Sequence, residues 1–295
     1  MSEKIFFTHD QIQERPNKRF DAPDPFQIHY HFRPARPANF CVTRNKNGSL
    51  NVSAGTIGPL TWKPYTMCLH INISGSPHSY NNIWVGSECV IALPSRNQVK
   101  ETWITALPLP EGISELEVAG MHESPSTMVK VPGIAECPVN FECVVEFKQD
   151  YYTHGIVFVR VLGATIDKEV LSMSREEAVH YYPTYEVDDK ANRFGGSIER
   201  LGVMGEIFEC PSFPYAPKAG WYQSFDTWMK DLADENYLSN EELGRIVKLR
   251  KEYNSLYAAG DAGVRYSVLK DYFTMLPKYI VNDQWDAAHK LIQST

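Results

Sequence analysis

No run in this 295-residue chain approaches the about 18 consecutive apolar residues of a membrane-spanning helix. The opening "MSEKIFFTHDQIQERP" is charged throughout and lacks the apolar stretch of a signal peptide. A cytoplasmic protein with no membrane partner is therefore expected. Basic residues are also in the minority: 29 Lys and Arg stand against 36 Asp and Glu, for a net charge of −7. A nucleic-acid partner needs clustered cations and is not expected. The six cysteines (41, 68, 89, 137, 143 and 210) form no CxxC pair and have no His-rich partner spacing, so free thiols and no metal site are expected. The glycine-rich nucleotide loops, H-E-x-x-H and G-x-S-x-G are all missing, which removes most dinucleotide-fold, ATPase, zinc-protease and serine-hydrolase readings.

What is present is centred on Arg36 to Pro94, where apolar strand-like runs alternate with turn residues. "NFCVT" leads into the Asn-Gly of "NKNG", a strong hairpin signal. "SLNVSAG" resumes the extended chain, "TMCLHINIS" alternates in strand fashion, and "ECVIALP" is apolar enough to be buried. One or two helical turns are predicted to start near Ser76 or Ser79, and another helix near Asn97 to Ile104. A long loop follows around "LPLPEGISE". "VNFECVVEFKQDYY" and "HGIVFVRVLGATID" read as an antiparallel hairpin. Short strands without long intervening helices favour a closed barrel.

The flanks differ in character. Residues 1–35 carry four prolines at 16, 23, 25 and 34 and read as an extended arm; its His29, His31 and Arg33 alternate as a polar strand face or, alternatively, a metal pair. After about residue 215 the period becomes helical, with Phe225, Trp228, Met229 and Leu232 on one face. Ser239 and Glu242 have capping-box spacing, Gly260 is a plausible stop, and two further amphipathic helices follow. The domains expected are thus an arm at 1–35, a barrel at 36–214 and an α-helical extension at 215–295.

Two polar sets lie inside the central stretch, Asn51 to Thr56 and Ser74 to Asn82. From the residues alone the first reads as a strand entering a glycine turn and the second as an ordinary capped loop. The same stretch resembles the flavin reductase-like, FMN-binding split-barrel family that includes the flavoredoxins. Arg36, Pro37, Val42, Thr43, Gly48, Asn51, Val52 and Thr56 carry the first part of that likeness. Ser79, Asn82, Ile83, Glu88, Val90 and Pro94 carry the second, the Val129 to Cys143 segment the third and "HGIVFVRV" the last. The fold class implied is mainly β with an α extension: a split β-barrel followed by a C-terminal helical region.

The resemblance implies one bound FMN, held by two adjoining loops. Ser53, Ala54, Gly55 and Thr56 would meet the ring, with small residues allowing close backbone approach. Ser74, Ser76, His78, Ser79 and Asn82 would meet the phosphate. The chain departs from the family where Pro77 replaces a Lys and His78 an Asp, leaving Arg44 or Lys63 as candidate replacement cations. His154 matches a residue near the nicotinamide side in many relatives, and is the candidate catalytic group; a hydrogen-bonded strand-end His is the other reading. Cys137 stands at a Ser position, either redox-active or a buried inert thiol.

The function implied is an oxidoreductase that takes hydride from NAD(P)H through FMN. Its acceptor would be free flavin, a partner monooxygenase or a small organic molecule. A flavoredoxin-like electron carrier and a non-catalytic split-barrel binding protein are the alternatives. A homodimer is also implied, with the helical extension covering the flavin entrance or enlarging the dimer interface.

Overall fold

The computed structural model describes residues 36–73, 77–152, 154–174, 177, 185–188, 200–203, 206–209 and 224–295. The arm with His29, His31 and Arg33, together with Ser74, Ser76 and Cys210, lies outside the described residues. Strand β1 (Arg36–Arg44) is buried on both faces, because its alternate residues serve two different cores. Asn45 to Gly48 reverse the chain as the Asn-Gly pair predicts: Gly48 sits at φ 85°, and its N–H donates to the Asn45 carbonyl at 2.9 Å.

β2 (Leu50–Trp62) returns antiparallel, placing Val52 opposite Val42 and Ser53 opposite Cys41. It is longer than "SLNVSAG" suggests. Gly55 pairs with Asn39 and Gly58 with Cys68, so neither glycine turns the chain. The reversal comes at Lys63 and Pro64, leading into β3 (Tyr65–Asn72). Ser53 to Thr56 therefore lie within a strand, which corrects the loop expected there.

α1 (Pro77–Asn82) supplies the short helical turn expected after β3, opening on a proline, which needs no N–H at that position. β4 (Glu88–Leu93) follows. A 3-10 turn at Arg96–Gln98 then leads into α2 (Val99–Ile104), with Ser95 and Gln98 forming a reciprocal capping box. α3 (Glu115–Ala119) was not foreseen. The small pair β5 (Glu123–Ser124) and β6 (Gly133–Ile134) precedes the predicted hairpin of β7 (Val139–Tyr151) and β8 (His154–Ile166).

These strands close on themselves in the cycle β1, β2, β3, β8, β7, β4, with Val90 and Ile91 of β4 pairing back to Val42 and Cys41. The split-barrel expectation holds. α4 (Lys168–Ser172) ends the barrel chain. β9 (Tyr185–Asp188), β10 (Arg200–Val203) and β11 (Glu206–Glu209) extend the sheet from β1, where Arg36 lies opposite Glu186.

Three cores follow from strand alternation. Cys41, Ile57, Leu69, Cys89, Cys143 and Val157 fill the barrel. Phe40, Val42, Val52, Val90 and Ala92 face outward and are covered by Leu116 and residues between Met121 and Cys137. The third core belongs to the helices α5 (Phe225–Asp234), α6 (Asn240–Ala258), α7 (Val264–Val281) and α8 (Trp285–Ser294). Phe225, Trp228, Met229 and Leu232 are buried as their spacing predicts. The Ser239–Glu242 capping box is formed, and Gly260 at φ 68° stops α6.

This third core is completed by Trp103, Ile104, Leu107, Leu109, Ile113 and Val118 from the barrel chain. The apolar content of the "LPLPEGIS" loop is thereby explained: it is the floor on which the helices pack. Tyr253 Oη donates to the Glu111 carbonyl at 3.0 Å, and Asn47 Nδ2 to Tyr266 Oη at 3.0 Å. Between these contacts Gly112 sits at φ 86°, where an added Cβ would lie 2.7 Å from the Tyr257 ring and 2.9 Å from Tyr253 Oη. Neither role foreseen for the extension included this docking on the 103–118 segment and the β1–β2 hairpin.

Candidate functional site

Strand alternation turns Thr43, Asn51 and Ser53 toward one end of the barrel, where α1 closes over them. Ser79, buried on α1, donates from Oγ to Ser53 Oγ at 2.7 Å and accepts from Asn51 Nδ2 at 2.7 Å. Asn51 Nδ2 also reaches Thr43 Oγ1 at 3.2 Å. Asn82 Nδ2 donates to Thr43 Oγ1 at 3.2 Å and Asn45 Oδ1 at 2.8 Å. The far end of α1 is held by Lys148, whose Nζ donates to the carbonyls of Tyr80 and Ile83 at 2.7 and 2.8 Å.

Ser53, Ser79 and Asn82 of the sequence-predicted set are thus brought together, and Thr43, Asn45 and Asn51 join them. The donors of Ser79 and Asn82 point into this network, where they fix α1 to the barrel mouth. Asn51 and Thr43 were quoted only for their likeness to the family; a polar pair on the inner strand face was the available signal.

The edge of β2 is the second feature. β2 pairs with β1 from Leu50 to Thr56, and with β3 only from Thr56 opposite His70 onward. From Val52 to Gly55 no strand covers the edge away from β1, among the described residues. The Val52 N–H on that edge donates to Glu115 Oε2 at 2.9 Å. Backbone groups of residues two apart point the same way in a strand, so the Ala54 N–H and carbonyl face the same open side. Ala54 and Thr56 are nearly buried, on the outer face, and Gly55 faces inward. Small side chains beside an uncovered donor and acceptor fit the edge of a flat heterocycle that offers complementary groups.

Glu115 itself is buried, and burial pushes its carboxyl up to about 8 against the opposing pull of the Val52 N–H and its own. No sequence signal marked it; only the packing of α3 on β2 brings it to the edge.

His78 is half-buried on α1, with Glu111 and Arg250 as its charged neighbours. Burial lowers its pKa, the Glu111 carboxylate opposes this, and the Arg250 guanidinium lowers it further. His78 thus holds a proton less readily than an ordinary imidazole, and the cation on this side is Arg250. That side chain pairs with Asp226 Oδ2 at 2.5 Å and lies 5.6 Å above the Phe225 ring, with Nε buried and without a hydrogen-bond partner among the described residues. Of the cations named from the sequence, Arg44 donates to the Gly48 carbonyl at 2.7 Å and the Lys130 carbonyl at 3.3 Å. Lys63 lies at the distal β2–β3 turn. Neither is turned toward α1.

His154 opens β8 opposite Asn72 and Tyr151. Its neighbour Gly155 lies under Tyr80 of α1, whose ring would be 3.0 Å from an added Cβ. His154 thus lies beside the end of β3, next to the glycine that Tyr80 covers. Cys137 is buried, its thiol pushed up to about 12 by burial, which supports the inert reading. Among the described residues, no group of three His, Cys, Asp or Glu could hold a metal ion, and no helix is long and apolar enough to cross a membrane.

Comparison with known proteins adds findings of three kinds. The sequence matches the profile of the flavin reductase like domain over residues 33–188. It is similar to an uncharacterized protein of Halalkalibacterium halodurans, 32% identical over 116 residues that make up 38% of this chain and 55% of that protein. A protein of Pyrococcus abyssi is 36% identical over 83 residues, covering 28% and 47% respectively. The matched region spans about half the length of these relatives. In fold, the chain resembles a putative flavin reductase with a split barrel domain from Shewanella frigidimarina, at TM-score 0.53 and 13% identity over 71% of this chain and 100% of the other. It also resembles nitrilotriacetate monooxygenase component B from Bacillus cereus, at TM-score 0.51 and 18% identity over 70% and 100%.

Proposed function

This chain belongs to the flavin reductase like domain family, and we propose that it is an FMN-dependent oxidoreductase taking hydride from NAD(P)H. The electrons pass to free flavin, a partner monooxygenase or a small organic acceptor. The observation that carries this reading is the uncovered β2 edge from Val52 to Gly55, lined by small residues and adjoining α1. When bound, the cofactor supplies the hydride chemistry, and the protein supplies orientation and access. In this reading the Ala54 backbone holds the ring, with Ser53, Gly55 and Thr56 shaping its seat. Ser74, Ser76 and His78 are the groups assigned to the phosphate. Ser79 and Asn82 hold α1 in position for them. His154 serves the nicotinamide side. The partner monooxygenase stands among the acceptors because nitrilotriacetate monooxygenase component B shares the fold. A cytoplasmic homodimer completes the proposal.

The direct test is spectroscopic. Protein titrated with FMN is expected to bind it at micromolar levels and turn yellow, absorbing near ~450 nm as flavins do. Anaerobic NADH or NADPH then bleaches that band. A yellow protein that neither nucleotide bleaches is the flavoredoxin-like carrier; a colourless one that refuses FMN is the binding protein.

In this proposal the helical extension contributes a guanidinium to the site through Arg250, beside His78. Arg250→Gln is expected to weaken FMN binding roughly tenfold, the scale of one hydrogen bond to a charged group. Affinity for riboflavin, which lacks the phosphate, should not change. Equal losses for both ligands would place Arg250 in packing alone.

A further inference from the structure

One buried ionisable group lies at the open β2 edge without belonging to any polar set in the sequence. We propose that Glu115 is the positioning residue of the cofactor edge, and that the site binds FMN with this carboxyl in its neutral form. The inference rests on the functional reading above and deepens it.

The geometry is specific. Glu115 Oε2 accepts the Val52 N–H at 2.9 Å, the group immediately preceding Ala54 on the same side of the strand. The carboxyl therefore sets the direction of the edge that the ring would meet. It also lies about two strand residues away, roughly 7 Å at the usual rise. A carboxylate at that distance in a dry setting repels an edge rich in carbonyl acceptors, and repels it more once electrons are added. The neutral acid has no such effect, yet keeps an oxygen to accept from Val52.

The surroundings isolate this titration. α3 packs against β2, α2 and α7. β2 has no titratable side chain between Leu50 and Trp62. α2 carries Lys100 and Glu101, and α7 carries Arg265, Tyr266, Lys270, Asp271, Tyr272, Lys278 and Tyr279. Glu117, on α3 itself, is exposed. None of these is among the causes that raise Glu115, which are burial opposed by two backbone N–H groups.

The sign follows from linkage. A carboxyl at about 8 when folded and near 4.5 when unfolded holds more protons in the native state between those values. Stability is thus full below pH 4.5 and falls as pH rises toward 8. FMN affinity should fall where the folded group ionises, by up to tenfold per pH unit above about 8.

The experiment is an FMN fluorescence titration from pH 6.5 to 9.5 on the full chain, Glu115→Gln and Glu117→Gln, with melting of each FMN-free protein over the same range. The amide of Glu115→Gln still accepts from Val52 but does not ionise. Wild type and Glu117→Gln are expected to lose affinity above pH 8, while Glu115→Gln binds with a flat profile and melts higher than wild type at pH 8. The proposal is overturned if the Glu115→Gln profile follows that of wild type, or if wild type is itself flat. It is likewise overturned if folded Glu115→Gln has lost FMN at pH 7, since the charged form would then be the one required. Failure of wild type to bind FMN at any pH would sink the functional reading as well, which distinguishes the two.

Discussion

Ala54→Pro is expected to leave the barrel folded and to weaken FMN binding by about 30- to 300-fold. Proline removes a backbone N–H, which in the middle of a sheet normally costs a ladder bond. At Ala54 that N–H points to the side of β2 where no strand pairs, because β3 joins only at Thr56. The substitution therefore spares the β1 ladder and removes the donor that the proposed site offers to the ring. Loss of a buried donor contributes about 1–3 kcal/mol, and the pyrrolidine adds bulk where the ring must approach. Ser53→Pro is the contrasting control. By alternation its N–H faces β1, where Ser53 pairs with Cys41, so that variant should lose the fold. Thermal melting and FMN titration of both proteins decide the matter. Undiminished FMN binding by folded Ala54→Pro would remove the β2 edge from the site.

Gly112→Val is expected to lower stability by roughly 3–4 kcal/mol and to detach the helical extension from the barrel. Two costs add here. A residue with a Cβ at φ 86° is strained by about 1–2 kcal/mol, more for a β-branched one. The new side chain also enters space held by the Tyr257 ring and Tyr253 Oη, and overpacking costs about 1–3 kcal/mol. For a chain of this size such a loss lowers the melting temperature by roughly 6–15 °C. Because Trp103 to Val118 complete the core of the helices, the first sign should be faster amide exchange in α6 and α7 than in the barrel strands. Uniform exchange across both would mean that the two parts unfold together. FMN affinity should also fall, since Arg250 of α6 would no longer stand beside His78.

Much of this fold could be read from local pattern. The Asn-Gly hairpin, the alternation of β7 and β8, the apolar face of α5 and the Ser239–Glu242 cap each depend on residues within a few positions of one another. In such places backbone chemistry acts without distant partners. The extent of β2 was not legible, because Gly55 and Gly58 look like turn residues until β1 and β3 occupy their flanks. α3 was missed for a related reason: five residues are too short to establish a helical period.

The candidate site divides in the same way. Small residues at Ser53 to Thr56 and polar ones at Ser79 and Asn82 are properties of the sequence, and its likeness to a flavin-binding family gave them a meaning. Which of their hydrogen-bond donors stay open was decided by strand parity and by the packing of α1, which turned Ser79 and Asn82 inward. Glu115 and Arg250 lie 63 and 198 positions beyond Val52 in the chain. Linear sequence determined most elements and their polarity here; tertiary structure alone brought these two ionisable groups to the candidate site, because their electrostatics depends on separation and burial in space.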